Sequence, residues 1–398
     1  MPTQTTQAQT ATPAARLDSI DLLRGLIMVV MAIDHVRDYF HFSAVQGVDP
    51  LDLARNTPAI FLTRFATHFC APIFSFLAGL SVYLAAKRGK PKSLLSGFLV
   101  KRGLWLIFLE LTVLMWFGWA FKVDLHLFFF GTLWALGWSM IVLAGLIHLP
   151  WRAVAVFSAV LIFGHNALDG IKPGSWGDWG WFWQIFHVSS VIQTKSGYTL
   201  YAFYPLIPWL GVMAAGFCFG RLYDQEAGVR QRWLLRFGFG AVGAFVLLRA
   251  SNVYGNLTPW TSQARPGFTL LSFLDVTKYP PSLCYLLLTL GVGLTLLAVF
   301  ERWSPRWLQP LLAYGRVPFF YYVLHIPLIH GLAWLTNMVR FGRSDFTPIG
   351  GTPPPEAGCS LLVTYVVWAA IVVSLYPACR WFVGFKQRRR DLTWLGYF

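Results

Sequence analysis

Apolar residues recur along this chain in runs of about twenty, the length at which a helix crosses the ~30 Å hydrocarbon layer of a bilayer. Ten runs can be read, at about 20–42, 58–86, 98–120, 125–148, 151–167, 201–222, 234–252, 280–300, 309–336 and 359–383. The fifth has fewer than twenty apolar residues, and the seventh carries Arg236 and Arg249 near its ends. With ten helices and both termini inside, 21 of the 32 Lys and Arg fall on the inner side, including Lys87, Arg88, Lys90, Lys92 and the tail from Lys386 to Arg390. The outer side holds the other 11. Removing one span would put Arg388, Arg389 and Arg390 outside, against the positive-inside rule. The fold class expected is all-α: a polytopic membrane helix bundle of about ten transmembrane helices, with N and C termini cytoplasmic. A disordered tail is expected over 1–17, a single transmembrane domain over 18–385 and a basic cytoplasmic tail over 386–398.

Composition agrees. Hydrophobic residues make up 56% of the chain and charged residues 12%, against about 25% charged in soluble domains. A water-soluble protein is excluded, and the lipid bilayer is the first partner. The net charge of +15 would suit nucleic acid. The basic residues lie in connectors, however, with no basic face carrying stacking aromatics, so no nucleic acid is expected. Met1 to Ala15 has no charged residue and no apolar core, so it does not read as a signal peptide. In the absence of an organelle address, the bacterial inner (plasma) membrane is the expected location. The five cysteines show no CxxC spacing and read as small packing residues. No internal repeat of the kind found in inverted-repeat transporters is visible. Three outer segments, around 168–200, 253–279 and 337–358, are long and rich in Gly, Pro and aromatics. They read either as a roof over an outer site or as an interfacial Trp belt.

Ionisable residues inside such runs are costly and mark functional sites by default. Asp34 and His35 lie in the outer half of the first run, Arg64 and His68 share a face of the second, and His325 and His330 lie in the ninth. Three helices thus bring imidazoles to a similar depth. His325 and His330 are five residues apart, about 140° around a helix, and no HxxxH or ExxH pair occurs within a run, so no metal is expected. Histidine near neutral pH suits general-base catalysis. His35 is the expected base, assisted by Asp34, with His68 and His325 lining the chamber; the competing reading is a structural polar contact for each. His330 and His126 read as residues near the outer interface, and His148 and His187 as surface residues. Glu110, mid-span in the third run, must be paired, protonated or facing a wet cavity. Arg24 and Arg316, near the inner ends of their helices, are placed to bind phosphates of a cytosolic donor or to anchor the inner leaflet. Arg64 and Lys278 are further candidate binding cations, Lys278 facing an acidic acceptor or lipid.

Four motifs carry a resemblance. Ser19-Ile20-Asp21 with Arg24-Gly25 and Asp34-His35 is the first. Tyr204-Pro205 through Pro208-Trp209 and Gly211, with Gly216 and Gly220-Arg221, is the second. Thr277-Lys278-Tyr279-Pro280-Pro281-Ser282 and Gly315-Arg316-Val317-Pro318 through His325 complete the set. Together they resemble the heparan-α-glucosaminide N-acetyltransferase catalytic-domain family, in its bacterial branch of the transmembrane acyltransferases. The resemblance implies ten or eleven helices, acetyl transfer from cytosolic acetyl-CoA to a sugar amine or hydroxyl across the membrane, and an essential histidine. The lysosomal members carry an Asn-Tyr pair where this chain has Asp34-His35, so the role of His35 is not carried over from them.

The sequence therefore leads to an integral-membrane acyltransferase using acetyl-CoA as co-substrate, with no metal. Its expected partners are an acyl-CoA, a glycan or amino-sugar acceptor and, as a homodimer, a second copy of the chain. The alternative is a transporter or flippase of an anionic or glycan substrate, in which the buried charges line a path. A third reading is an assembly or sensor protein that keeps the fold without the activity. Binding of a CoA ester separates the first from the other two.

Overall fold

Helix starts follow local signals. Pro58 and Pro318 stand in the first turn of their helices, where a missing N–H costs nothing. Ser282 and Ser360 cap two others by accepting from Tyr285 N at 3.1 Å and Val363 N at 3.4 Å. The computed structural model describes residues 17–389 and 391–397. Its main helices are α1 (Asp18–Phe40), α2 (Pro58–Lys87, with a 3₁₀ turn at Thr67–Phe69), α3 (Lys92–Leu109), α4 (Thr132–Leu146), α5 (Trp151–Gly164), α6 (Leu206–Phe219), α7 (Ala227–Ser251), α8 (Leu283–Arg302), α9 (Pro318–Phe341) and α10 (Leu361–Arg388). Helix α3 continues as a π-helix over Glu110–Trp119. A three-stranded sheet, β1 (Leu127–Phe130), β2 (Ser190–Gln193) and β3 (Thr199–Ala202), lies at one end of the bundle. Its order is β1-β3-β2, with β1 parallel and β2 antiparallel to β3.

Among the described residues, seven helices are long and apolar enough to cross a membrane: α2, α5 (extended to Leu168), α6 (extended to Asp224), α7, α8, α9 and α10. The hydropathy pattern expects ten. Helix α4 is shorter, α3 carries Lys92, Lys101 and Arg102, and α1 carries six charged residues within twenty-three. The runs read at 125–148 and 201–222 also begin too early. Leu127–Phe130 and Thr199–Ala202 are paired strands, because β-favouring Phe, Tyr and Thr outweigh the apolar count there. The tail expected over 1–17 lies, except for Leu17, outside the described residues. At the other terminus Thr393–Tyr397 forms a 3₁₀ turn whose Leu395 is buried and whose Tyr397 ring stacks on Phe98.

Helix α1 is central and contacts α2, α8, α9 and α10. The hydrophobic windows of α8 and α10 are 72% and 17% buried, so α8 is an inner helix and α10 presents apolar surface outward. Glycine permits two close crossings. A Cβ on Gly25 would lie 2.0 Å from Leu311 O and one on Gly315 1.7 Å from Asp21 O, so α1 and the Leu311–Arg316 turn touch backbone to backbone. Gly79 and Gly216 allow the same between α2 and α6, with virtual Cβ distances of 1.9 Å to Met213 O and to Phe76 O. Small residues at such crossings let dispersion contacts replace the hydrophobic drive that lipid does not supply.

Glu110 is buried where α3 passes into the π-helix. Its carboxylate accepts from Leu133 N at 2.5 Å and Trp134 N at 3.3 Å, capping α4 from a neighbouring segment. At the far end of the π-helix, the Gly118 carbonyl accepts from the Tyr39 hydroxyl (3.3 Å) and from His330 Nδ1 (2.7 Å). His330, read as a residue near the outer interface, is 3% exposed and stacks on Phe121. His187, expected at the surface, is buried at 1% and pairs with Asp169 at 3.0 Å.

Candidate active site

Adjacent residues on a helix project about 100° apart, and Asp34 and His35 use that angle to serve different partners. Asp34 points to a cluster of cations. Its Oδ1 lies 2.7 Å from Arg37 Nη1, and its Oδ2 pairs with Arg64 Nη1 and lies 3.6 Å from Lys278 Nζ. Arg37 also binds Asp38 at 2.7 Å. His35 turns instead to α9, where its Nδ1 is 2.7 Å from His325 Nε2. The aromatic edges of Trp119 and Tyr322 flank the His35 ring.

The protons of this imidazole pair follow from its last member. His325 Nδ1 faces the carbonyls of Tyr322 (2.7 Å) and Tyr321 (3.2 Å), which can only accept, so Nδ1 carries the hydrogen. A neutral His325 then accepts at Nε2, and His35 donates from Nδ1. The Nε2 of His35 is left with a lone pair. A backbone carbonyl thus fixes one imidazole, which fixes the next in the tautomer a general base requires. Asp34, expected as the assistant of His35, makes no hydrogen bond to it; its two oxygens are taken by Arg37 and Arg64.

His35 lines a cavity of about 420 Å³, within the usual range for small-molecule sites. Asp34, Arg64, Lys278, Tyr204, Tyr279 and Thr132 share its wall, and residues around Val48 and Pro348 border it on the sheet side. Toward the other end of the bundle lies a second cavity of about 270 Å³, lined by Arg24, Arg102 and Arg316. Phe74, Leu133, Leu136 and Phe319 belong to both walls. Arg24 binds Asp21 (3.2 Å), Leu77 O (3.1 Å) and the Ser81 hydroxyl. Arg316 binds Asp18 at 3.0 Å. Among the described residues the buried Nε of Arg102 and of Arg316 have no hydrogen-bond partner, though the Arg316 Nε lies 3.8 Å from an Asp21 carboxylate oxygen.

The structure thus brings His35, Asp34, Arg64, Lys278 and His325 together and sets Arg24 and Arg316 apart at the second cavity. His68 reaches neither. Its Nδ1 donates to Arg64 O at 2.9 Å, while its ring packs against Tyr285 and Phe65. Among the described residues no group of three His, Cys, Asp or Glu is placed to hold a metal ion. Sequence reasoning missed Arg102, Tyr204, Tyr279 and Thr132 as wall residues. Tyr204 and Tyr279 had a signal, since each stands beside a Pro in a motif noted above, whereas Thr132 and Arg102 had none.

A family model described as heparan-alpha-glucosaminide N-acetyltransferase, catalytic, matches residues 16–248. The chain belongs to this family. The family is one of transmembrane acetyltransferases. The part that matches the heparan-alpha-glucosaminide N-acetyltransferase catalytic domain runs from before α1 almost to the end of α7, and includes Asp34, His35 and Arg64. Lys278, Arg316 and His325 lie beyond it, so the imidazole pair joins the matched segment to the rest of the chain. A comparison with curated proteins found no match.

Proposed function

We propose that this protein transfers an acetyl or other acyl group from a cytosolic acyl-CoA to a sugar amine or hydroxyl on the outer side of the membrane, with His35 as general base. The observation that carries the reading is the Tyr322 carbonyl–His325–His35 chain, which presents the lone pair of His35 Nε2 to a small-molecule-sized cavity. In this reading about ten helices cross the membrane and both termini are cytoplasmic. The sheet then lies outside and the arginine-lined cavity faces the donor. Arg24, Arg102 and Arg316 suit the phosphates of CoA, since guanidinium groups bind phosphate in a forked geometry and, among the described residues, the buried Nε atoms of Arg102 and Arg316 make no hydrogen bond. The acyl arm reaches His35 past Phe74, Leu133, Leu136 and Phe319. The acceptor nitrogen or oxygen attacks the thioester carbonyl as its proton passes to His35 Nε2. The carbon–sulfur bond then breaks, and the imidazolium returns the proton to the departing thiolate.

Two cavities back to back also suit a transporter, and one experiment separates the readings. Detergent-purified protein is titrated with acetyl-CoA by calorimetry and thermal shift, because a ligand of the native state raises its apparent stability. Micromolar binding, weakened at least tenfold in Arg316→Gln, is expected. His35→Ala should keep that binding and lose acyl transfer by a factor of about 10² or more. Folded protein that ignores millimolar acetyl-CoA would overturn the assignment in favour of transport.

A further inference from the structure

In the ion-pair network on the wall of the His35 cavity, cations outnumber carboxylates. Arg37, Arg64 and Lys278 converge on the single carboxylate of Asp34, and among the described residues the only other acid in the network is Asp38, bound to Arg37. Three cations therefore face two carboxylates. Asp49, which also borders the cavity, is exposed in the loop after α1 and accepts from Leu51 N at 2.9 Å. Lys278 is 7% exposed, and its 3.6 Å approach to Asp34 is too long for a hydrogen bond. Among the described residues its ammonium has no hydrogen-bond acceptor. A buried charge without a full partner is strongly disfavoured, so such an ammonium is kept where a ligand supplies the missing anion. The positive field is also felt by Tyr279, outside the helices. Burial by itself would raise that phenol, yet Lys278 and Arg64 hold it below its ordinary value.

We infer that the acceptor carries an oxyanion, a sugar carboxylate or a sugar phosphate, which docks between Lys278 and Arg64 while its nucleophile faces His35. The inference rests on the acyl-transfer reading for the role of His35, but not for the anion site itself. Arg64 supplies a planar donor fork that Asp34 occupies at one Nη, and Lys278 adds a point charge, 3.6 Å from Asp34 and over the Tyr279 ring, whose N–H groups make no hydrogen bond among the described residues. The cations share one cavity with His35, so the anion and the reacting group must belong to one small molecule or one sugar unit and its neighbour.

The test is a thermal-shift titration of the purified full chain with glucose, glucuronate, glucosamine 6-phosphate and glucosamine, in wild type, Lys278→Gln and Arg316→Gln. Acetyl-CoA is titrated into the same preparations. At least one of the charged sugars should stabilise the wild type at tenfold lower concentration than its neutral counterpart, and Lys278→Gln should remove that difference. Response to glucuronate and to the phosphate identifies which oxyanion is preferred. Equal response to charged and neutral sugars, or a preference that survives Lys278→Gln, overturns the inference. Loss of the preference in Arg316→Gln instead would assign the anion to the other cavity and also overturn it. If acetyl-CoA stabilises the protein and no charged sugar is preferred, the oxyanion site falls and the acyltransferase reading stands. If charged sugars are preferred through Lys278 while acetyl-CoA has no effect, the anion site stands and the acyltransferase reading falls.

Discussion

His325 is the side chain whose substitution separates catalysis from mere packing. It does not line the cavity, but its Nε2 accepts from His35 and its Nδ1 is held by α9 carbonyls. His325→Phe keeps an aromatic ring and removes the acceptor, freeing His35 to adopt the tautomer whose cavity-facing nitrogen is protonated. Turnover should fall by about 10²-fold, the scale of one general-base contribution, with little change in KM for either substrate. His325→Gln offers an amide oxygen to His35 Nδ1 and should recover part of the loss. Equal activity of the Phe variant and wild type would remove the imidazole pair from the mechanism. That His35 was chemically important was legible in the sequence, because a histidine in a costly environment needs a reason. That its partner was His325 was not. The two lie 290 residues apart, and helical geometry shows only that Asp34 points elsewhere.

Among the secondary structure elements, the π-helix at Glu110–Trp119 organises the site's flank. A π-turn leaves carbonyls without the usual i+4 donors, and two of them at its far end are met by Tyr39 and His330. At its near end Glu110 caps α4, which brings Thr132 and Leu133 to the cavity wall. Glu110→Ala leaves the Leu133 N–H buried without an acceptor, and unfolding should become easier by about 1–3 kcal/mol. Glu110→Gln keeps one carbonyl oxygen and should cost less. Both can be read from the thermal midpoint in detergent; an unchanged midpoint in the Ala variant would show that the cap contributes nothing. From sequence, Glu110 could be recognised only as a problem needing a partner. The apolar runs located the long helices well because burial and lipid exposure demand the same residues. For that reason they also missed the sheet, since Leu127-Phe128-Phe129-Phe130 is as apolar as a helix.

For the molecule as a whole, orientation decides what each cavity can meet. If the arginine-lined cavity faces the cytosol, the loop that carries Ser175 must lie outside and the connector that carries Lys90 inside. Charge favours this strongly, with 21 of 32 Lys and Arg on the proposed inner side. Of the five cysteines, Cys70, Cys284 and Cys379 are buried, while Cys218 and Cys359 are partly accessible and must be replaced by Ser before labelling. In that background, Ser175→Cys should react with a membrane-impermeant maleimide in intact cells, and Lys90→Cys only after the membrane is opened. The opposite pattern would turn the donor cavity away from CoA and remove acyl transfer from cytosolic donors altogether. Labelling of both sites in intact cells would mean that an even number of spans separates them, and the count of ten would have to be revised. The two cavities press against a common wall of four apolar side chains, which divides one from the other. An enzyme built this way needs only a slender acyl arm to cross, whereas a transporter must open the same layer wide enough for its whole cargo.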